Sequence, residues 1–276
     1  MNKFNIIYKE ILKNIIKNGI EEVNKRTGIK TKSLPGICFS IDLEKDGFPL
    51  LELRKLPFSF IPEIMWMLSG KKDIIWLNKY TKIWDFFSEK DKTVTSAYGY
   101  RWRKHFGVDQ LNEVIDKLKK DSTTRHGVII MWSPKQDLKI IQKNVPCPYT
   151  YTLNIIGERL HLHLVIRSND MILGNPTDVA GFALLQYILA QELKVKVGIL
   201  TISISNAHIY ENHYDIAKML ISRSVNTNTR KKVLFSIPKK CYKRSYMLDD
   251  LLVEELKLSF KNYKPLLEIK NIPITL

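Results

Sequence analysis

"YTYTLNIIGERLHLHLVI", residues 149–166, decides how this chain is built. Before Gly157, Tyr151, Leu153 and Ile155 alternate with polar residues, and after it Leu160, Leu162 and Leu164 do the same. A period of two is the signature of a half-buried strand, and a glycine between two such runs marks the turn of a hairpin. His161 and His163 then share the opposite face with Arg167. Working outward, strands are expected at 127–132 and 199–205 and in "ICFSIDL" (37–43). Helices are expected at 4–18, where Tyr8, Ile11, Leu12, Ile15 and Ile16 recur at helical spacing, in "FSFIPEIMWMLSG" (58–70), and at 108–119 and 179–193. "NKRTGIKTKSLPG" (24–36) reads as a turn-rich connector. Helices and strands mix without a βαβ rhythm, which gives an α+β class. No repeat or linker divides the chain, so residues 1–276 are read as a single domain.

Composition narrows the function. A chain of 276 residues with 45% hydrophobic content supports a large core. No apolar run approaches the ~20 residues that span a bilayer, and "MNKFNIIYKEILKNIIKN" carries charge through what would be the apolar part of a signal peptide. A cytoplasmic protein with no membrane partner is expected. Cys38, Cys147 and Cys241 are too few and too scattered for a disulfide framework or a metal site. The net charge of +16 comes from lysines spread along the whole chain, without a zinc-finger, RNP-type or helix-turn-helix signature. It describes a solvated basic surface that attracts anionic small molecules, and no nucleic acid partner is expected.

Chemistry concentrates on either side of the hairpin. Cys147 lies in "NVPCPYT" between two prolines, and Arg167 ends the second hairpin strand. A cation beside a thiol stabilises the nucleophilic thiolate, although a lone cysteine beside a strand is more often a small buried apolar residue. His161 and His163 have no third ligand at a suggestive spacing, so no metal is predicted. The hairpin runs on into "RSNDMILGNPTD" (167–178), which crowds an arginine, two asparagines and two aspartates around a Leu-Gly and a proline. "NAHIYENH" (206–213) adds His208, Tyr210 and His213.

These pieces stand in an order that resembles the thymidylate synthase family, over nearly the whole chain. The order runs through "KRTG" (25–28), "GFPLL" (47–51), "EIMWMLSG" (63–70), "IWDFF" (83–87), "AYGYRWR" (97–103), "PCPYT" (146–150), "RSNDMILGNPTD", "AHIYENH" (207–213) and the tail "YKPLLEIKNIPITL". The resemblance implies a large mixed sheet at a homodimer interface with flanking helices, a pyrimidine nucleotide monophosphate as substrate, and 5,10-methylenetetrahydrofolate as carbon donor. Cys147 matches the nucleophile that adds to C6 of the pyrimidine. Arg26, Arg167 and Ser168 match phosphate ligands, with Arg125 reaching in from the partner subunit. Glu63 matches the glutamate that relays protons at the C4 side of the ring, and Tyr98 the tyrosine near the C5 proton. His208 and Tyr210 match ribose ligands. Asn169, Asp170 and Gly174 fall in the nucleotide-binding stretch. Trp84, Asp170, Gly174 and Leu276 match positions around the folate.

Departures from that pattern point to a different base. Pro148 follows the nucleophile where histidine is usual, Ile166 precedes Arg167 in place of glutamine, His126 follows Arg125 in place of a second arginine, and Asn206 replaces an aspartate. At 178 an aspartate stands where the family reads uracil with asparagine. Uracil offers an acceptor at O4 and a donor at N3, and cytosine reverses both, so a carboxyl complements cytosine. With "RSND" and the loss of the histidine and glutamine, the chain resembles the phage deoxycytidylate hydroxymethylase branch of the family. The tail "NIPITL" instead matches methylating synthases, so dCMP methylation and dUMP methylation stand as alternatives. The bland reading of Asp178 is a cap on a helix beginning near Val179.

Overall fold

The computed structural model describes residues 2–25, 27–139, 144–224 and 231–275. Helix α1 (Lys3–Asn18) starts where the Asn2 side chain accepts the Phe4 N–H, and it buries Phe4, Tyr8, Leu12 and Ile15. Strands β1 (Ile20–Val23) and β2 (Lys30–Asp42) follow, then α2 (Phe60–Ser69), α3 (Tyr98–Arg103) and α4 (Gln110–Lys120). Next come β3 (Val128–Ile130), α5 (Pro134–Asp137), β4 (Pro148–Ile156), β5 (Arg159–Ile166) and β6 (Asn169–Asp170). Helix α6 (Gly174–Leu193), β7 (Lys196–Tyr210), α7 (Tyr214–Ser222), β8 (Leu234–Phe235), α8 (Cys241–Tyr246), α9 (Asp250–Leu258) and β9 (Phe260–Lys261) complete the chain.

The large sheet runs β1-β2-β7-β5-β4-β3, with β6 added beside β7. Only β5 and β6 lie parallel to β7, and the other neighbours are antiparallel, so the sheet is mixed and the class is α+β. The expected hairpin is β4–β5. Its turn is two residues, Gly157 and Glu158, both at positive φ (+58°), as the twist of a tight hairpin requires. One sheet face, with Tyr151, Leu153, Leu160, Leu162, Leu164, Leu200, Ile202 and Ile204, is buried in the core with α6. Because α6 is enclosed on all sides, it carries apolar residues around its whole circumference. The opposite sheet face is open and polar. There Ser40 and Thr201 are 2.9 Å apart, and His163 Nε2 lies 2.8 Å from Ser203 Oγ, which donates to Cys38 Sγ. Among the described residues no helix is long and apolar enough to cross a membrane.

Three boundaries differ from the sequence expectation. The connector at 24–36 is not all turn, because β2 begins at Lys30 and carries Pro35 and Gly36 inside it. The proline is tolerated because β1 pairs only with residues 30–33, leaving the outer edge of β2 without a partner strand at Pro35. Strand β7 extends to Tyr210, so His208 and Tyr210 are strand residues. Helix α6 begins at Gly174 rather than at Val179, with Asn175 and Pro176 in its first turn, where the backbone N–H groups have no helical acceptor in any case. Asp178 is therefore inside the helix, and its reading as an N-cap is corrected.

Candidate active site

The site opens where the core strands β5 and β4 end. Arg167 N–H donates to Cys147 O at 2.9 Å, which extends the hairpin ladder and sets the two residues side by side. The guanidinium is then fixed by the loop before the cysteine: Nε donates to Pro146 O (2.8 Å), Nη2 to Val145 O (3.1 Å), and Nη2 also reaches Cys147 Sγ at 3.7 Å. Pro146 and Pro148 are buried, and the thiol between them is half-buried. A cation held against a thiol in this way favours the thiolate.

Tyr98, the first residue of α3, accepts the Cys147 N–H on its phenol oxygen at 3.4 Å. Burial, reinforced by Cys147 and Asp178, pushes its phenol well above the usual range, so it stays protonated. Trp84 meets the Tyr98 ring edge-on at 5.7 Å and packs on Trp66 at 5.0 Å. Helix α3 lies so close to α2 that a Cβ on Gly99 would fall 1.8 Å from Met67 O. Met67 is one helical turn beyond Glu63, so this backbone contact ties the glutamate and the tyrosine together.

Glu63 and Asp178 are the two acids of the site whose carboxyls are raised. Burial pushes Glu63 up to about 7, and the charge of Asp178 pushes the same way, against the hydrogen bonding of Ser59 and Trp84. The Trp84 N–H leans toward this carboxyl without completing a hydrogen bond of full geometry. Burial also raises Asp178 to about 7, with Asp170 adding to the effect and a hydrogen bond from Asn169 opposing it. Asp178 Oδ2 accepts from Asn169 Nδ2 at 2.8 Å, and Oδ1 has no partner among the described residues.

The turn leading into α6 is built by Asp170, whose Oδ1 accepts from the N–H groups of Ile172 (2.8 Å) and Leu173 (3.3 Å) and lies 3.9 Å from His213 Nδ1. Asp170 and Asn169 pair in register with His208 and Ala207 of β7. His208 packs edge-on against Tyr210 at 5.0 Å. Its Nδ1 is buried and completes no hydrogen bond among the described residues, and burial holds its imidazole below the usual range against the opposing pull of Asp170 and the Asn206 backbone. Ser168 is half-buried between β5 and β6.

The structure thus gathers Cys147, Arg167, Tyr98, Glu63, Asp178, Trp84, Asn169, Asp170, Gly174 and His208 around one end of the sheet. Arg125 is apart from them, exposed on the run into β3, and makes no hydrogen bond or ion pair among the described residues. Arg26 and Leu276 lie outside the described residues. His161 is spent on the backbone, with Nδ1 accepting from Ile199 N–H (3.0 Å) and Nε2 bonded to Ile156 O (3.2 Å).

Some residues of the site escaped the sequence reading. Tyr8 donates to Met171 O (2.6 Å) and Arg54 to Ile172 O (2.7 Å), clamping the turn before α6 from below. Asn175, fully buried, donates to Asn169 Oδ1 at 2.7 Å. An arginine inside the apolar run "FPLLELRKLPF" was the one signal in the sequence for Arg54.

An α+β fold that sets a thiol beside an arginine, a phenol and two raised carboxyls defines a group-transfer enzyme. The family model described as thymidylate synthase matches residues 6–274, and the chain belongs to the thymidylate synthase family. It is accordingly a transferase of the nucleotide-synthesis class, moving a one-carbon unit to a pyrimidine nucleotide, and the family uses methylenetetrahydrofolate as co-substrate.

Proposed function

We propose that the chain converts dCMP to 5-hydroxymethyl-dCMP as a cytoplasmic homodimer. The observation that carries this reading is Asp178: it does not cap its helix, one oxygen is held by Asn169, and the other has no partner among the described residues. A carboxyl raised to about 7 is half protonated near neutrality, and it complements cytosine by giving a proton to N3 and accepting from the 4-amino group. Against uracil the same group sets acceptor to acceptor at O4, a buried mismatch costing on the order of several kcal/mol.

The residues assign the steps. The Cys147 thiolate forms a bond to C6, the electron pair of the C5–C6 double bond moves through C4 to N3, and the Asp178 proton neutralises it there. C5 thereby becomes nucleophilic. When bound, methylenetetrahydrofolate supplies the one-carbon unit. The donor set fits such a group, because Asp170 Oδ2 makes no hydrogen bond among the described residues, leaving a carboxylate edge for pterin N–H groups, and Trp84 Nε1, although directed at Glu63, completes no hydrogen bond there. Tyr98 stays neutral and orders the water that takes the C5 proton, while Glu63 relays protons on the C4 side. Arg167 and Ser168, joined by Arg26 and the exposed Arg125 of a second copy, hold the phosphate. His208 and Tyr210 hold the ribose.

A methylated product is the second reading, and the tail favours it. His213 Nε2 donates to Pro273 O (2.7 Å), which fixes that tautomer because a carbonyl only accepts, and Asn212 donates to Thr275 Oγ1 (3.2 Å). A tail anchored beside the site excludes water. Incubation with methylenetetrahydrofolate and either dCMP or dUMP, with the product identified by mass, decides. Hydroxymethyl-dCMP is expected, and exclusive formation of dTMP from dUMP overturns the reading.

A further inference from the structure

Beneath the position that reads the base, three side chains are strung together. Asn175 Nδ2 donates to Asn169 Oδ1 (2.7 Å), and Asn169 Nδ2 donates to Asp178 Oδ2 (2.8 Å). Asn175 is fully buried and Asn169 is 3% exposed, so water does not compete for either bond. A carboxamide has one accepting and one donating end, so with Asn175 donating to its Oδ1, Asn169 turns its donating end to the carboxyl; Asn175 Oδ1 is itself buried with no hydrogen bond among the described residues. The chain needs room, which Gly174 leaves: a Cβ there would stand 3.3 Å from Asn169 Nδ2 and 3.8 Å from Asp178 Oδ2.

This arrangement makes the two oxygens of Asp178 unequal. Oδ2 already accepts from an amide, and a carbonyl-type oxygen accepts better than a hydroxyl, so a proton on the carboxyl belongs on Oδ1. Oδ1 has no partner in the chain among the described residues, and it is absent from the buried atoms that lack one, so it is open to the site.

We propose that Asn169 and Asn175 are specificity-determining positioning residues that fix the proton of Asp178 on Oδ1 and so select the pyrimidine. This rests on the cytosine reading above. In this role both asparagines act through Asp178. The other titratable groups whose charge reaches the same enclosure are Glu63 on α2, Tyr98 on α3 and Asp170 on β6.

Two variants test the assignment. Asn175→Leu fills the buried volume without a donor and frees Asn169 to turn. Asn169→Asp keeps the bond from Asn175 but sets an acceptor against Asp178. For each, kcat/KM is measured with dCMP and dUMP, and the Asp178 carboxyl is titrated in the ligand-free protein by carbon-13 NMR. The ratio of dCMP to dUMP efficiency is expected to fall about tenfold or more, and the Asp178 midpoint to rise, further in Asn169→Asp. A purely structural role lowers both substrates together and leaves their ratio alone; that result in either folded variant overturns the proposal, as does an unmoved titration. A wild-type enzyme that prefers dUMP, whose ratio both variants still shift, sinks the cytosine reading and leaves the asparagine relay standing.

Discussion

The two ends of the site are built on opposite electrostatic plans. At the Cys147 end, a cation is pinned by two carbonyls against a thiol, an arrangement that favours the charged form of sulfur. At the Asp178 end, two carboxyls share one enclosure and each is pushed up to about 7, so charge there is disfavoured. In the proposed reaction the first end makes the bond to the ring, and the second, where Asp178 stands in place of the family asparagine, distinguishes one pyrimidine from another.

The largest expected effect breaks the first end. Cys147→Ser replaces a thiolate by a hydroxyl that the arginine cannot ionise, and turnover should fall by about 10³-fold or more while nucleotide binding persists. Steady-state kinetics with binding calorimetry check it, and near-normal turnover removes the covalent step. The next effect sharpens the second end. Asp178→Asn exchanges an acceptor for a donor opposite the 4-position, and the ratio of kcat/KM for dCMP over dUMP should fall by ~10²-fold. An unchanged ratio means that Asp178 does not read the base.

The smallest effect concerns stability, and its sign follows from the same raised carboxyl. The folded state holds the Asp178 proton up to about 7, whereas the unfolded chain releases it near the ordinary aspartate value of 3.8. Between these values the native state binds more protons, so the contribution of this group to stability declines as pH rises. Asp178→Asn removes the group, and its Tm relative to wild type should rise by a few degrees between pH 5 and pH 8. Differential scanning at both pH values measures it; equal gaps at the two pH values mean that the carboxyl is not raised.

Much of this was legible in the sequence, for reasons that can be stated residue by residue. The β4–β5 hairpin showed itself because one face is buried and one is open, which imposes the alternation of Leu160, Leu162 and Leu164 with histidine. Helix α1 showed itself by a single apolar stripe. The start of α6 did not, because Gly174, Asn175 and Pro176 are turn formers by propensity, and only the packing of the helix against the sheet makes them helical. Asp178 stood out in the sequence by its contrast with the family asparagine, which motivates the role proposed for it. Asn175 did not, since the role proposed for it depends on the direction in which an amide points. Tyr8 and Arg54 support the site from elements 163 and 118 residues away in sequence, a separation that no local pattern encodes.

The contact of Gly99 with Met67 has a further consequence. The spacing between Glu63 and Tyr98 is a main-chain dimension, fixed by one backbone resting directly on another. The side chains packed around that contact do not set it. The narrowest tolerance in this molecule is therefore at a position with no side chain at all, where a single methyl would wedge the acid away from the phenol.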